Sequence, residues 1–201
     1  LFINSSRCSD EVMAYFAENS IQVEKYEDIY DAVAAVKEQK ILLEPDKVNY
    51  ALSSSIDASN VVIEAMNPTS LMKAVKNPVE VENLRRCHIK DGVAMTKFMY
   101  WLKQNAGKVE MTEISIAEVL KGFRKAQGGF VEESFTTIAG YGPHGAVIHY
   151  HATEETNAKI DAQGLLLVDS GAQYLDGTTD ITRTFAMGPV TEEEKRNFTT
   201  V

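Results

Sequence analysis

Cysteine is scarce in this sequence, with only two residues among 201. Cys8 and Cys87 lie far apart and form no C-x-x-C pair, which argues against a disulfide framework or a zinc knuckle. Long apolar runs are also missing, because no segment approaches the roughly 18 residues of a membrane helix. The first residues lack the basic and apolar regions of a secretory signal. We therefore predict a cytoplasmic protein.

Positive charge is in short supply as well. The chain has 20 Lys and Arg against 29 Asp and Glu, which gives a formal net charge of −9. No cluster of basic residues is long enough to follow a phosphate backbone, so nucleic acid and anionic membrane are poor partners. Hydrophobic residues make up 44% of the chain. That share is typical of a globular protein with a real core.

Residues 1–74 alternate short apolar strands with helical patterns. The predicted strands are LFIN, IQVEKY, KILLEP and NVVIEA, and the predicted helices are DEVMAYFAE and DIYDAVAAVK. This alternation predicts an α/β layer with a largely parallel sheet.

A long amphipathic helix is predicted next. Asn77 is placed to cap it, Pro78 suits its first position and Glu80 completes a capping box, while Gly107 ends it. The helical period predicts one apolar stripe. Its members are Val81, Leu84, His88, Met95, Met99 and Leu102.

A second helix is predicted from Ser115, with Glu118 three residues later, to Gly128. The pattern then changes to strands separated by turn signals, in SFTTIAG, AVIHY, GLLLVDSG and DITRTF. We predict an α+β domain with an antiparallel sheet over residues 75–201, after an α/β domain over residues 1–74.

Both ends of the sequence look internal to a longer chain. It opens without Met in an apolar stretch, and it closes in a helix that Thr191 and Glu194 begin with a capping box. We expect the 201 residues to be a piece of a longer protein.

Two aspartates are the strongest candidates for chemistry. Asp169 ends the apolar run at 165–168, and the hairpin signal Asp176-Gly177 allows Asp180 to return beside it. Two converging carboxylates need a shared proton or a cation between them. A plainer interpretation, in which Asp180 caps the turn and Asp169 pairs with Arg183, stays open at this point.

Histidines and threonines supply weaker candidates. His149 falls on the predicted strand AVIHY, and His151 would share its face if the strand continued. A histidine on such a strand is more often a packed residue than a functional one. His144 lies in a Gly-Pro turn and is predicted to be solvated. Thr182 and Thr184 share strand parity with Asp180, so either hydroxyl could hydrogen-bond a carboxylate. Tyr141 could line a pocket.

Three segments carry a resemblance to a known family. VDSGAQYLDGTTDITRTF resembles the metal-binding hairpin of aminopeptidase P, the Xaa-Pro aminopeptidase of the pita-bread metallopeptidase superfamily. GPHGAVIHY is similar to the upstream family segment with a substrate-binding histidine, and AVKNPVEVENLRRCHIKDGVAM to the opening helix of the catalytic domain. Residues 1–72 more loosely resemble the end of the creatinase-like domain of the three-domain members.

The resemblance implies a function and a set of ligands. It implies removal of the N-terminal residue from peptides with proline second, by a hydroxide bound between two divalent ions, most suitably Mn²⁺, with Zn²⁺ or Co²⁺ as alternatives. Asp169 would bind one ion, Asp180 would bridge both, and His149 would contact substrate. The family completes the site with a histidine and two glutamates farther along, so these 201 residues alone should be inactive. A homodimer is expected.

Two alternatives remain at this stage. A related enzyme, above all a prolidase acting on dipeptides, would use the same carboxylates, whereas the preceding α/β domain argues against a methionine aminopeptidase. A pita-bread protein without catalysis could serve as a binding module, although retention of Asp169 and Asp180 argues against that.

Overall fold

The computed structural model describes all 201 residues. The chain divides into two compact units, Leu1–Val75 and Lys76–Val201. No helix is both long enough and apolar enough to cross a membrane.

The first unit is a small α/β layer. Its elements are α1 (Asp10–Glu18), α2 (Ile29–Ala34), β1 (Lys40–Leu43), α3 (Tyr50–Ser54), β2 (Val61–Glu64) and α4 (Pro68–Ala74). The two strands pair in parallel, with Leu42 opposite Ile63. The predicted parallel arrangement is therefore confirmed for these strands.

Two predicted strands of the first unit are wrong. LFIN and IQVEKY contribute only an isolated parallel bridge between Phe2 and Glu24. Local capping explains the short pairing: the Asn4 side chain accepts a hydrogen bond from the backbone N–H of Ser6 and begins a 3₁₀ turn. Another 3₁₀ turn begins at Tyr26 and ends the second extended segment.

The second unit opens with two helices, α5 (Pro78–Asn105) and α6 (Glu113–Lys125). The predicted capping box of α5 is confirmed, since Asn77 and Glu80 exchange side-chain to backbone hydrogen bonds. The predicted start of α6 at Ser115 is wrong. Thr112 is the cap, and the Ser115 hydroxyl takes the reciprocal place that was assigned to Glu118.

The buried stripe of α5 differs from the predicted one. The buried residues are Cys87, Asp91, Ala94, Met95, Phe98 and Leu102. Only Met95 and Leu102 belong to the predicted set, and His88 is exposed. The buried face of α5 is therefore shifted from the predicted stripe. It includes a charged residue, Asp91, which is paired with the buried Arg124.

Six strands and a last helix follow. They are β3 (Phe130–Glu133), β4 (Ile138–Tyr141), β5 (Leu165–Ser170), β6 (Ala172–Tyr174), β7 (Gly177–Thr178), β8 (Ile181–Ala186) and α7 (Glu192–Thr200). They form two antiparallel sheets with the orders β4-β5-β8 and β3-β6-β7. The predicted antiparallel arrangement is confirmed. β5 is the central strand of the β4-β5-β8 sheet and carries Asp169.

The predicted strand AVIHY does not form. Residues Gly142–Ala146 make a 3₁₀ helix, and a turn follows through His149. Pro143 lacks a backbone N–H for a strand ladder, and Gly142 adopts a positive φ of 55°. His149 and His151 therefore lie on no strand.

In the core of the second unit, α5 and α6 pack on one face of the β4-β5-β8 sheet. Leu166 and Val168 of β5 and Phe185 of β8 meet Phe98, Leu102, Ile116 and Leu120 from the helices. The Phe98 and Phe185 rings meet edge to face with centroids 6.0 Å apart. This packing decides which face of β5 is left for polar side chains.

A fully buried ion pair joins the helices. Arg124 of α6 donates to both Asp91 oxygens, through Nε at 2.7 Å and Nη2 at 3.1 Å, and both side chains have 0% exposure. The Tyr174 hydroxyl of β6 donates to the same carboxylate at 2.9 Å. Burial and the neighbouring Asp91 carboxylate raise the pKa of Tyr174. The network ties both helices to the strand between Asp169 and Asp180.

We expect Arg124→Met to lower the free energy of unfolding by about 3–5 kcal/mol, because it leaves the Asp91 charge buried without a partner. The control is Arg85→Met on the surface of α5, where the effect should stay within about 0.5 kcal/mol. Denaturant unfolding measures both. A loss below about 1 kcal/mol for Arg124→Met would contradict this account of the network.

Candidate functional site

Asp169 lies on the face of β5 away from the helical core. Burial alternates along the strand, with Leu166, Val168 and Ser170 buried and Asp169 half-buried. The strand pairs Asp169 with Thr182 of β8, and the Thr182 hydroxyl donates a 2.7 Å hydrogen bond to Asp169 Oδ1. One carboxylate oxygen is thereby oriented, while the other has no hydrogen-bond donor within the protein.

Asp180 is exposed and immediately precedes β8. It lies two residues before Thr182, and the alternation of β8, continued one residue beyond the strand, would place it on the face that bears Asp169. The turn at residues 175–176 closes the β6–β7 hairpin, as the Asp176-Gly177 signal predicted. The chain thus returns antiparallel and brings both aspartates to the same end of the β5–β8 pair.

The residue before Asp180 is held from two sides. The backbone N–H of the buried Thr179 donates to the Ala172 carbonyl oxygen at 2.9 Å, and the Thr179 hydroxyl accepts from the Ala172 N–H at 3.0 Å. The Ser134 hydroxyl donates to the Thr179 carbonyl at 3.0 Å. A Cβ at Gly171 would lie 2.1 Å from the same carbonyl oxygen. Only glycine fits there, so the approach of the chain to Asp180 is fixed by its backbone.

The plainer interpretation of the aspartates does not hold in the structure. Arg183 donates through Nη1 to the Thr182 carbonyl at 2.7 Å and makes no ion pair with Asp169. The ion pairs of this unit join other residues, so neither Asp169 nor Asp180 has a cationic partner. Asp176 is the one hairpin aspartate that is paired.

Asp176 fixes the tip of the hairpin to α5. It accepts a 2.7 Å hydrogen bond from Lys90, whose ammonium also lies 4.9 Å from the centroid of the Tyr174 ring. The bond from Lys90 holds the pKa of Asp176 below its ordinary value. Next to it, Gly177 packs so closely that an added Cβ would lie 3.0 Å from Leu84. The hairpin is therefore anchored at its tip as well as at Tyr174.

The two threonines on the Asp169 face differ. Thr182 bonds the carboxylate, whereas Thr184 lies opposite Leu167 and makes no hydrogen bond to either aspartate. Strand parity alone could not separate them.

The remaining predicted residues lie elsewhere. His149 is exposed on a turn with a positive φ of 55°, a conformation that costs a non-glycine residue about 1–3 kcal/mol. His151 is exposed in an irregular segment. No hydrogen bond or ion pair joins either histidine to Asp169 or Asp180. Tyr141 ends β4, and its hydroxyl donates to the Gln163 carbonyl at 2.8 Å, so it is engaged with the backbone.

A buried carboxylate near the His149 segment was not predicted. Glu113 has 0% exposure and accepts hydrogen bonds from two backbone N–H groups and from the His144 and Tyr150 side chains. Burial alone would raise the pKa of Glu113, but these donors outweigh it and hold the pKa below the ordinary value. His144 is half-buried in this network, so its predicted solvation is wrong.

The oxygen atoms of Asp169 and Asp180 are of the type that binds divalent cations, but two side chains are too few to complete a metal site. Two carboxylates without cationic partners, one of them oriented by a hydroxyl, supply the oxygen ligands that hard divalent ions take. The structure nevertheless groups no three His, Cys, Asp or Glu side chains as a metal site.

Comparison with known proteins gives the family. Residues 82–201 match the model of metallopeptidase family M24, and residues 1–80 match the creatinase/prolidase N-terminal domain. The chain therefore belongs to metallopeptidase family M24. Both predicted domain types, creatinase-like and pita-bread, are present.

Individual relatives agree with this assignment. The chain is 37% identical over 213 residues to a probable Xaa-Pro aminopeptidase P of Sordaria macrospora and 39% identical over 207 residues to the Drosophila melanogaster Xaa-Pro aminopeptidase ApepP. Both matches cover 100% of this chain, but only 35% and 33% of the relatives. The chain thus spans about a third of their length.

A solved structure resembles most of the chain. The X-prolyl aminopeptidase of Caenorhabditis elegans, described as a cytosolic enzyme with a di-nuclear active site, superposes with a TM-score of 0.85 at 30% identity. The match covers 96% of this chain and 33% of that one.

Proposed function

We propose that the protein is a metal-dependent aminopeptidase that removes the N-terminal residue from peptides with proline in second position. The observation that carries this proposal is the pair Asp169 and Asp180 on either side of the anchored β6–β7 hairpin, neither of which has a cationic partner among these residues. The relatives named Xaa-Pro aminopeptidase support the same activity. A prolidase or a binding module would retain the fold but differ in the assay below.

We also propose which part of the enzyme the chain supplies. Residues 1–74 would be the C-terminal part of a creatinase-like domain and residues 75–201 the first half of a pita-bread catalytic domain. Relatives about three times as long support this view. Further ligands would then come from outside the 201 residues, and those residues alone would be inactive. A homodimer and a cytoplasmic location belong to the same proposal.

The residues present have distinct tasks in this proposal. Asp169 and Asp180 would hold two divalent cations, with Mn²⁺ favoured by the oxygen donors and Zn²⁺ or Co²⁺ as alternatives. When bound, such ions polarise the scissile carbonyl and lower the pKa of the attacking water. Thr182 keeps Asp169 in one orientation. His149 would donate a hydrogen bond to substrate from its exposed turn, and His151 and Tyr141 lie close to it in sequence as weaker candidates.

The proposed activity can be measured on the protein expressed with its flanking sequence and supplied with Mn²⁺. An Arg-Pro-Pro peptide should lose its first residue, and Asp169→Asn should reduce kcat/KM at least about 100-fold because a cation ligand is lost. Asp161→Asn changes an exposed aspartate whose side chain makes no hydrogen bond or ion pair, and this control should leave the activity unchanged.

Three results would point elsewhere. Cleavage restricted to Xaa-Pro dipeptides indicates a prolidase. No cleavage with any divalent metal favours the binding module, and an active Asp169→Asn variant contradicts the role of that carboxylate.

Thr182 and Thr184 allow a matched test of the hydroxyl. Thr182→Val should weaken Mn²⁺ binding about 10–100-fold, since Asp169 loses the donor that orients it. Thr184→Val makes the same chemical change on the same face and should alter binding less than about 3-fold. Metal titration by calorimetry measures both affinities. Equal losses in the two variants would show that the hydrogen bond from Thr182 to Asp169 does not contribute to metal binding.

A further inference from the structure

Four hydrogen-bond donors meet on the carboxylate of Glu113, the first residue of α6. The backbone N–H of Tyr141 donates to Oε1 at 2.8 Å, and that of Ala158 donates to Oε2 at 3.0 Å. One donor comes from the end of β4 and the other from 17 residues farther along. A single carboxylate therefore bonds both the start and a late residue of the long connection between β4 and β5.

Within that connection the same carboxylate holds two side chains. His144 Nδ1 lies 2.9 Å from Oε1, and the Tyr150 hydroxyl donates to Oε2 at 2.8 Å. The two rings stack on each other with centroids 4.4 Å apart and an interplanar angle of 28°. The segment between His144 and Tyr150 is therefore bonded to Glu113 at both of its ends.

The short segment between these anchors carries His149. Backbone bonds close it, from the Val147 N–H to the His144 carbonyl at 3.1 Å and from the Tyr150 N–H to the Val147 carbonyl at 3.2 Å. Its tip faces solvent, with Ile148 85% exposed and His149 exposed in the left-handed region. Such a conformation persists where the surrounding structure holds it.

A purely structural role for Glu113 would need less. An acidic residue in the first turn of a helix is stabilised by the helix dipole, and two backbone N–H groups satisfy its charge. Neither requirement explains why the two further donors are the side chains that flank the His149 turn and stack on each other.

We propose that Glu113 is a positioning residue for His149, which it acts on by holding His144 and Tyr150 at the two ends of the turn. The inference rests on the proposed function, in which His149 contacts the substrate. It gives a part in substrate binding to a buried residue that lies far in sequence from Asp169 and Asp180.

A double-mutant cycle on the protein with its flanking sequence tests this. His149→Ala should lower kcat/KM for an Arg-Pro-Pro peptide, and Glu113→Gln should lower it about 10-fold or more with bound metal unchanged. Combined with His149→Ala, Glu113→Gln should cause little further loss, because both changes remove the same contact. Glu110→Gln, an exposed glutamate three residues earlier, is the matched control and should have no effect.

Tyr150→Phe covers the case in which Glu113→Gln does not fold. It keeps the ring that stacks on His144, removes the hydroxyl bond to Glu113 and should show the same non-additivity in milder form. Losses that add fully to that of His149→Ala would overturn the inference while leaving the proposed function intact. A wild-type protein unable to cleave the peptide would overturn the proposed function itself.

Discussion

The register between β5 and β8 is the constraint on which the candidate site depends. Leu166 lies opposite Phe185 in the core, and the same register places Asp169 opposite Thr182 on the other face. A slip of one residue would exchange the faces and turn the carboxylate toward the helices. The apolar residues of β5 thus position Asp169 as firmly as any polar contact does, because burying them fixes the pairing of the whole strand.

Buried charges complete the arrangement around this strand. Asp91 with Arg124 and Tyr174 ties the helices to β6, and Glu113 gathers the connection between β4 and β5. Buried charges are costly unless they are paired and hydrogen-bonded, and well-packed apolar residues would often be as stable. Asp91 instead holds the strand that lies between Asp169 and Asp180 in the sequence, and Glu113 holds the two side chains that flank His149. We interpret them as fixing positions more than adding stability.

The sequence predicts the parts of this molecule that depend on local chemistry. The capping box of Asn77 and Glu80, the parallel strands of the first unit and the Asp176-Gly177 turn were all found from short patterns. The Glu113 network was missed because its donors lie up to 45 residues away, beyond any periodic pattern. The apolar AVIHY segment favours a strand by its composition, but Pro143 and the positive φ of Gly142 lead the chain into a 3₁₀ helix and a turn. Strand parity indicated the Asp169 face correctly, yet only the register separates Thr182 from Thr184.

The central claim is that Asp169 and Asp180 are cation ligands on an anchored hairpin, and metal content measures it most directly. Under the proposed function, the protein with its flanking sequence, loaded with Mn²⁺ and analysed by elemental mass spectrometry, should hold about two ions per chain. Asp169→Asn and Asp180→Asn should each lower that number while the protein stays folded. Folded variants that retain the full metal content would contradict the account.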